Sequence, residues 1–307
     1  MLAPADQLEH LRLACEIAGV DASEVVLPDE RDLVLGGLRL HCLDWPRPPA
    51  TTGPAPPLVF LHGGCLTAHT WDLVCLAMRN EFRCLALDQR GHGDSEWSPT
   101  LDYAPAAHAR DLEALVAHLS LERPVLVGQS MGGMNALAYA ARPGAQLAGL
   151  VLVDVGPDIR WQGAARIADF VQGPAELDSV EAFVVRARAF NPSRDPRLLR
   201  RSLLHNLRRL PDGRLTWKYD RRALSPERFA AMRDQVEDMR AHVRRVRCPT
   251  LVVRGANSDV LGAADAERLA AALPDGRAAT VADAGHTVQG DNPRALAQLV
   301  REFALGL

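Results

Sequence analysis

Short apolar runs alternate with longer amphipathic segments through most of this chain. A run such as residues 58–61, Leu-Val-Phe-Leu, has no polar position, which is typical of a strand buried on both faces of a parallel sheet. The segments between the runs repeat apolar residues every three or four positions, which predicts helices. This order predicts βαβ units and a mostly parallel sheet covered by helices on both faces. The predicted strands are 58–61, 83–87, 125–127, 147–153, 249–255 and 277–281, and the predicted helices are 70–79, 106–119, 263–273, 293–305 and the residues after Ser130.

The N-terminal part of the chain does not follow this alternation. Apolar residues on one helical face predict a helix over 7–19, with Gly19 as its stop. Residues 32–42 alternate around a Gly-Gly pair, which predicts a β-hairpin. Residues 46–57 hold six prolines and predict a stiff surface connection.

A second break in the alternation falls at residues 157–247. This stretch is helical in pattern and rich in arginine, and the strand–helix order resumes after it. Neither flank contains enough strands for a complete sheet, so one interrupted domain explains the order better than two consecutive domains. We predict a core domain formed by 1–156 and 248–307, with 157–247 as a helical insertion.

Composition narrows the possible classes of protein. The 307 residues are 48% hydrophobic, enough for the core of one α/β domain with an insertion. The net charge is −3 and the charged fraction is 24%, so neither a nucleic acid nor an anionic membrane is expected as a partner. The six cysteines lack a CxxC spacing, and neither a disulfide framework nor a zinc site is predicted.

The sequence carries no recognisable targeting or cofactor signal. The N-terminus lacks the basic region and the continuous apolar core of a signal peptide. Runs of the roughly 18 apolar residues that span a bilayer are missing, as are a phosphate loop and a dinucleotide fingerprint. We therefore expect a soluble cytoplasmic protein with no metal and no other cofactor.

One motif stands between a predicted strand and a predicted helix. Gly128-Gln129-Ser130-Met131-Gly132 follows the apolar run at 125–127 and precedes the helical pattern. A Gly-x-Ser-x-Gly in this context is typical of a nucleophile elbow, a tight turn that presents a serine hydroxyl above the sheet edge. The flanking glycines give the strained serine backbone the small neighbours that it needs.

Further motifs occur at the ends of other predicted strands. His62-Gly63-Gly64 follows the strand at 58–61, residues 88–95 (Asp-Gln-Arg-Gly-His-Gly-Asp-Ser) follow the next, and Ala284-Gly285-His286 follows the last. With these motifs in this order, the chain resembles the α/β-hydrolase superfamily over nearly its whole length. The resemblance implies an α/β-hydrolase fold, with a mostly parallel twisted sheet and a helical cap inserted after the sixth strand. The insertion at 157–247 falls at that place.

The resemblance implies a catalytic triad in the order Ser, Asp, His. Ser130 is the predicted nucleophile, and it needs a base to take its proton during attack. His286 is the predicted base, because imidazole exchanges protons near neutral pH. Asp259, just after the strand at 249–255, occupies the usual place of the acid in this family; Asp154, at the end of the preceding strand, is the alternative.

The same resemblance implies an oxyanion hole and a substrate pocket. Backbone N–H groups stabilise the tetrahedral intermediate, and Met131 at the start of the elbow helix should supply one of them. The second should come from Gly64, with Cys65 as the next choice. Cys65, Trp161 and Trp217 are the predicted substrate-binding residues, although the aromatic residues of the insertion also suit packing onto the core.

Hydrolysis of a small-molecule carboxylic ester through an acyl-enzyme is the predicted reaction. Epoxide hydrolases and haloalkane dehalogenases of similar layout have aspartate at the elbow, where this chain has Ser130. C–C hydrolases usually have tryptophan after the catalytic histidine, where this chain has Thr287. A lactonase or a C–C hydrolase with the same triad is the alternative, and a non-catalytic ligand-binding protein is the second. The sequence leaves the oligomeric state open.

Positive charge is concentrated in the insertion. Residues 186–247 contain 17 arginines and one lysine against seven acidic residues, an excess of +11, so the rest of the chain carries −14. One interpretation is a solvated cap with ion pairs such as Glu237 with Arg240. The other is a positive field that attracts a substrate carboxylate.

Overall fold

One eight-stranded sheet runs through the middle of the molecule. The computed structural model describes residues 3–21, 24–46, 55–224 and 237–307. Its strands are β1 (Asp29–Leu35), β2 (Leu38–Trp45), β3 (Leu58–Leu61), β4 (Cys84–Leu87), β5 (Val125–Gln129), β6 (Gly149–Val153), β10 (Thr250–Gly255) and β11 (Gly276–Val281). Their order across the sheet is β1-β2-β4-β3-β5-β6-β10-β11.

The sheet is mostly parallel, as the alternating pattern predicts. From β4 to β11 all neighbouring strands run parallel, and only the hairpin β1–β2 adds antiparallel pairs at one edge. Gly36 and Gly37 take φ values of 59° and 85° in the hairpin turn, a conformation that favours glycine. The predicted hairpin is confirmed, and residues 47–54 of the proline-rich connection lie outside the described residues.

Helices cover both faces of the sheet. Alternate residues of β3 point to opposite sides: Leu58 and Phe60 enter one apolar core, whereas Val59 and Leu61 enter the other. Each fully buried leucine or phenylalanine contributes about 1.5–3 kcal/mol. The first core is closed by α1 (Pro4–Ala18), α2 (Asp72–Met78) and α10 (Pro293–Leu305), and the second by α3 (Pro105–His118), α4 (Met131–Ala140) and α8 (Ala263–Ala272).

The segment between β6 and β10 forms a layer with its own apolar core. Phe183, Leu203 and Trp217 are among the buried residues of this core. Within the described residues, its elements include α5 (Trp161–Gln172), β7 (Glu176–Leu177), α6 (Val180–Phe190), α7 (Pro196–Asn206), β8 (Leu207–Arg209), β9 (Leu215–Trp217) and a 3-10 turn over Arg221–Leu224. The segment is less purely helical than the pattern predicts, because three short strands form an antiparallel sheet in the order β7-β9-β8.

Two short elements flank the region of the predicted site. A 3-10 turn over Ala68–Trp71 leads into α2, and α9 (Val288–Asp291) follows His286. The sequence pattern predicts neither, because one helical turn is too short to show a period. Among the described residues, no helix is long and apolar enough to cross a membrane.

Candidate active site

Ser130 lies in the tight turn that the sequence predicts between β5 and α4. Its φ is 51° and its ψ is −119°, a strained conformation for a residue with a side chain. The Ser130 N–H donates to Val153 O at 3.0 Å, and Ser130 O accepts from Gly133 N at 2.9 Å. These backbone bonds hold the strained turn against β6 and the first turn of α4.

The two glycines of the motif are required by the close packing of backbone around this turn. A Cβ on Gly132 would lie 2.6 Å from His62 O and closer still to Leu61 O. A Cβ on Gly128 would lie 2.6 Å from the nitrogen of Gly133. Real Cβ atoms do not approach backbone this closely, so only glycine fits either position.

His286 contacts Asp154. Nδ1 of His286 lies 2.8 Å from Asp154 Oδ2, and the Asp154 carboxylate is fully buried at the end of β6. The Ser258 hydroxyl donates to the same oxygen at 2.5 Å, so two donors fix one carboxylate oxygen. An ionised carboxylate accepts hydrogen bonds only, which places the imidazole hydrogen on Nδ1 and leaves the lone pair on Nε2.

Asp259, the acid predicted from the sequence, does not contact His286. Its carboxylate is 37% exposed and accepts from Arg166 Nε on α5 at 2.8 Å. The structure therefore does not bring Asp259 to His286, and the alternative, Asp154, lies against the imidazole. Both aspartates follow neighbouring parallel strands, β6 and β10, at the same edge of the sheet. The loop that carries Asp259 is instead packed against Gly163 of α5.

Gln129 contacts His286, which the sequence analysis does not predict. Its amide Nε2 donates to His286 O at 3.1 Å and lies 3.2 Å from His286 Nε2. Because Gln129 directly precedes Ser130, these contacts place the imidazole beside the elbow. The only signal in the sequence was the position of Gln129 inside the Gly-x-Ser-x-Gly motif.

His62 braces the loop that follows β3. Its Nε2 accepts from Gln89 N at 3.0 Å, its carbonyl accepts from Gln89 Nε2 at 2.6 Å, and its Nδ1 donates to Gly63 O at 2.8 Å. Asn135 on α4 donates to the other end of the Gln89 amide at 2.7 Å. Burial lowers the pKa of His62, in keeping with a neutral ring that donates at one nitrogen and accepts at the other.

The loop after His62 lies directly against the elbow. A Cβ on Gly63 would stand 3.4 Å from Ser130 Cβ, and one on Gly64 would stand 4.0 Å from Met131 Cβ. Gly64 is exposed and Met131 half-buried. The structure thus brings together the two backbone segments that the sequence predicts as the source of the N–H donors.

Cys65, one of the three predicted substrate-binding residues, directly follows Gly64 in this loop. It takes a φ of 65° and packs against the apolar core of the segment between β6 and β10. Burial raises the pKa of the Cys65 thiol to about 12, which keeps the thiol uncharged.

The two tryptophans do not come together. Trp217 is buried in the core of its own segment, with its ring centroid 4.9 Å from that of Phe183 and 5.6 Å from that of Tyr219. Trp161 is half-exposed at the start of α5 and lines an open cleft of about 410 Å³ with Arg240 and Asp265. The sequence pattern does not show that one tryptophan is buried in a core while the other lines a surface cleft.

Comparisons with known proteins decide the family. A sequence model described as the Alpha/beta hydrolase family matches residues 58–299. The chain belongs to the alpha/beta hydrolase family. Esterase Rv0045c from Mycobacterium tuberculosis is 34% identical over 303 residues, which cover 96% of this chain and 95% of that protein. A crystal structure of that esterase matches with a TM-score of 0.76 and 32% identity, covering 99% of each chain. The protein is therefore an esterase-type hydrolase.

Other relatives of this alpha/beta hydrolase carry names that refer to different compounds. The sn-1-specific diacylglycerol lipase ABHD11 from Mus musculus is 28% identical over 81% of this chain and 80% of its own. The 2-(acetamidomethylene)succinate hydrolase from Mesorhizobium japonicum is 26% identical over 82% of this chain and 88% of its own. The family thus shares a fold among enzymes that differ in substrate.

Several arginines of the segment between β6 and β10 have partners inside this alpha/beta hydrolase. Arg186 and Arg221 donate to carbonyl oxygens around the C-terminal end of α5, where the helix dipole favours positive charge. Other arginines form ion pairs, as Arg222 does with Asp220 at 2.7 Å and Arg240 with Asp158 at 2.5 Å. These contacts favour the interpretation of the local charge excess as a set of paired and capping arginines.

Proposed function

We propose that this alpha/beta hydrolase cleaves a small-molecule carboxylic ester through an acyl-enzyme. Ser130 is the nucleophile, His286 the general base and acid, and Asp154 the acid that orients the imidazole. The observation that carries the proposal is the hydrogen bond from His286 Nδ1 to buried Asp154, beside a serine held in the strained elbow conformation. The esterase relative along nearly the whole chain favours an ester over a lactone or a C–C bond.

The proposed reaction begins with attack of Ser130 Oγ on the ester carbonyl. His286 Nε2 takes the serine proton and then gives it to the departing alcohol, which leaves an acyl-serine. Water attacks the acyl-serine in the same way and returns the proton to Ser130. Since Gln129 Nε2 lies 3.2 Å from His286 Nε2, the serine hydroxyl has to replace this amide before the proton moves.

Backbone donors stabilise the charge that develops on the carbonyl oxygen. The N–H groups of Met131 and Gly64 are the proposed pair, with Cys65 as the alternative to Gly64. Met131 is the first residue of α4, where the helix dipole favours negative charge. Each such donor contributes about 3 kcal/mol to transition-state stabilisation. The hydrogen bonds of His62 hold the Gly64 loop in place for this role.

Residues 157–247 form the proposed cap over the core domain, which consists of 1–156 and 248–307. The ion pair of Asp259 with Arg166 attaches the cap to the loop after β10. Cys65 faces the apolar core of the cap and is the proposed wall of the acyl pocket. Trp217 packs in the core of the cap behind this wall. Trp161 is proposed to bind substrate where it lines the open cleft at the edge of the cap. We also propose that the protein is located in the cytoplasm.

A series of p-nitrophenyl esters from acetate to decanoate tests the proposed function. We expect the wild-type protein to hydrolyse at least the short members and Ser130→Ala to lose this activity, because the variant has no nucleophile. A fluorophosphonate probe should label the wild type and leave Ser130→Ala unlabelled. Equal hydrolysis by both proteins would contradict the assignment of Ser130, and no labelling of the wild type would favour a binding protein.

A further inference from the structure

An arginine of the proposed cap reaches the loop that carries His286. Arg194 lies in the turn between α6 and α7, and its Nη2 is 3.1 Å from Asp291 Oδ1 and 3.4 Å from Thr287 O. Both side chains of this ion pair are largely buried, with 13% of Arg194 and 12% of Asp291 exposed. Asn191 of the same turn adds its side-chain amide, 3.5 Å from the same carboxylate oxygen.

The ion pair holds both neighbours of His286. The second oxygen of Asp291, Oδ2, accepts from the backbone N–H of Gly285 at 2.9 Å. Gly285 is thus held through Asp291. Thr287 O accepts from Arg194 in addition to the backbone N–H groups of Gly290 at 2.9 Å and Asp291 at 3.0 Å. Contacts from one cap turn and one carboxylate therefore restrain the backbone on each side of His286.

The position of Gly290 leaves room for the guanidinium group. A Cβ at this position would lie 2.6 Å from the central carbon of the Arg194 guanidinium and closer still to its Nη2. The φ of Gly290 is not positive, so the backbone itself would accept a larger residue. A methyl group at 290 would thus displace the guanidinium from its present position.

We propose that Arg194 is a positioning residue for His286, so that hydrolysis depends on the contact between the cap and the His286 loop. The inference rests on the role of His286 proposed above. A largely buried ion pair that also holds two backbone groups restrains geometry far more than an exposed pair does. A displacement of the base by about 1 Å lowers the rate by up to about 100-fold, because proton transfer needs close alignment.

We call the contacts of Arg194 with Asp291 and Thr287 the anchor. Two variants break the anchor in different ways. Arg194→Ala removes the guanidinium, and Gly290→Ala displaces it without changing a charge. We expect kcat for a p-nitrophenyl ester to fall roughly tenfold in both variants, with KM changed less than about twofold, since the base is misplaced while the pocket is kept. Arg200→Ala is the matched control, because Arg200 forms an exposed ion pair with Glu181 within the cap; its kcat should equal that of the wild type.

Chemical rescue separates positioning from a loss of folded protein. Guanidinium ion at millimolar concentration should restore part of kcat in Arg194→Ala, where the site is vacant. It should not restore Gly290→Ala, where the new methyl group occupies the space. Unchanged kcat in both variants would overturn the proposal, and so would a loss of kcat that matches the unfolded fraction.

Hydrogen exchange tests the anchor without any substrate. In a Ser130→Ala background, the amides of residues 285–291 should exchange faster after Arg194→Ala or Gly290→Ala than after Arg200→Ala. Equal exchange in all three would overturn the anchor. If the wild type hydrolyses no ester but exchange rises as expected, the proposed reaction fails while the anchor stands.

Discussion

At the scale of single residues, the sequence pattern and the structure indicate different aspartates as the partner of His286. Asp154 is buried and accepts from both His286 and Ser258, whereas Asp259 is partly exposed and pairs with Arg166. An aspartate at the end of either strand satisfies the same order along the chain. The choice depends on the directions of two loops that pack against different partners.

Substitution of the two aspartates distinguishes their roles. Asp154→Asn should lower kcat about 10³- to 10⁴-fold, because an amide in place of the carboxylate no longer fixes the imidazole tautomer or stabilises the imidazolium. Asp259→Asn should keep kcat within about threefold, because it loses only an exposed ion pair. Steady-state hydrolysis of one p-nitrophenyl ester measures both. An inactive Asp259→Asn next to an active Asp154→Asn would reverse the assignment.

The contacts of Gln129 and Arg194 with the His286 loop also concern single residues, and neither contact could be predicted from the sequence. Gln129 is 157 positions from His286, and Arg194 is 97 positions from Asp291. A glutamine or an arginine has no pattern of its own, since its partner is defined only by the fold. Ser130 and His286, by contrast, stand in short motifs of characteristic composition, and the sequence predicts both as site residues.

At the scale of elements, the β5–turn–α4 unit is the part of the fold that the sequence predicts best. The strand is short and apolar, the turn carries glycines, and the helix follows immediately. The short strands β7, β8 and β9 were not predicted, because two or three residues are too few to show the alternation that identifies a strand.

Because backbone packs closely around the elbow, we expect substitution of Gly132 to destabilise the protein. Gly132→Ala should lower the free energy of unfolding by about 3 kcal/mol, because the methyl group has to push α4 away from the end of β3. The same shift should slow fluorophosphonate labelling of Ser130. Gly306→Ala is the control, because its Cβ would make only ordinary contacts, the nearest at 3.4 Å from Glu302 O. Urea unfolding compares the three proteins, and an unaltered midpoint for Gly132→Ala would contradict the argument.

At the scale of the whole molecule, histidines with shifted pKa values make the free energy of unfolding depend on pH. Burial lowers the pKa of His62, His108 and His205, and it lowers the pKa of His92 to about 3. In the unfolded chain these side chains titrate near 6.5, so below that pH the unfolded state binds more protons than the folded state. His41 has the opposite sign: burial is the largest single effect and would lower its pKa, but the hydrogen bond with Asp88 and the charges of the nearby carboxylates together raise it.

The free energy of unfolding should therefore fall as the pH drops below about 6.5. Each buried neutral histidine contributes up to about 1.4 kcal/mol per pH unit in this range, and His41 offsets part of the sum. Urea unfolding at pH 7.5, 6.5 and 5.5 measures the slope. His205→Gln should reduce the slope by about one proton, whereas the control His118→Gln, at an exposed position, should leave it unchanged. A stability that stays constant down to pH 5.5 would show that these histidines are not buried in solution.

The sequence by itself determined the features that depend on neighbours along the chain. These are the order of strands and helices, the place of the insertion, the elbow at Ser130 and the loop of His286. Local backbone preferences and side-chain periodicity act over a few residues, so a pattern in the sequence is enough to reveal them. Only the tertiary structure decided that Asp154 and not Asp259 meets His286, that Gln129 contacts the same imidazole, and that Arg194 fixes its loop. Each of these contacts joins residues far apart in sequence, and its geometry depends on how parallel strands align their ends and how the insertion packs on them.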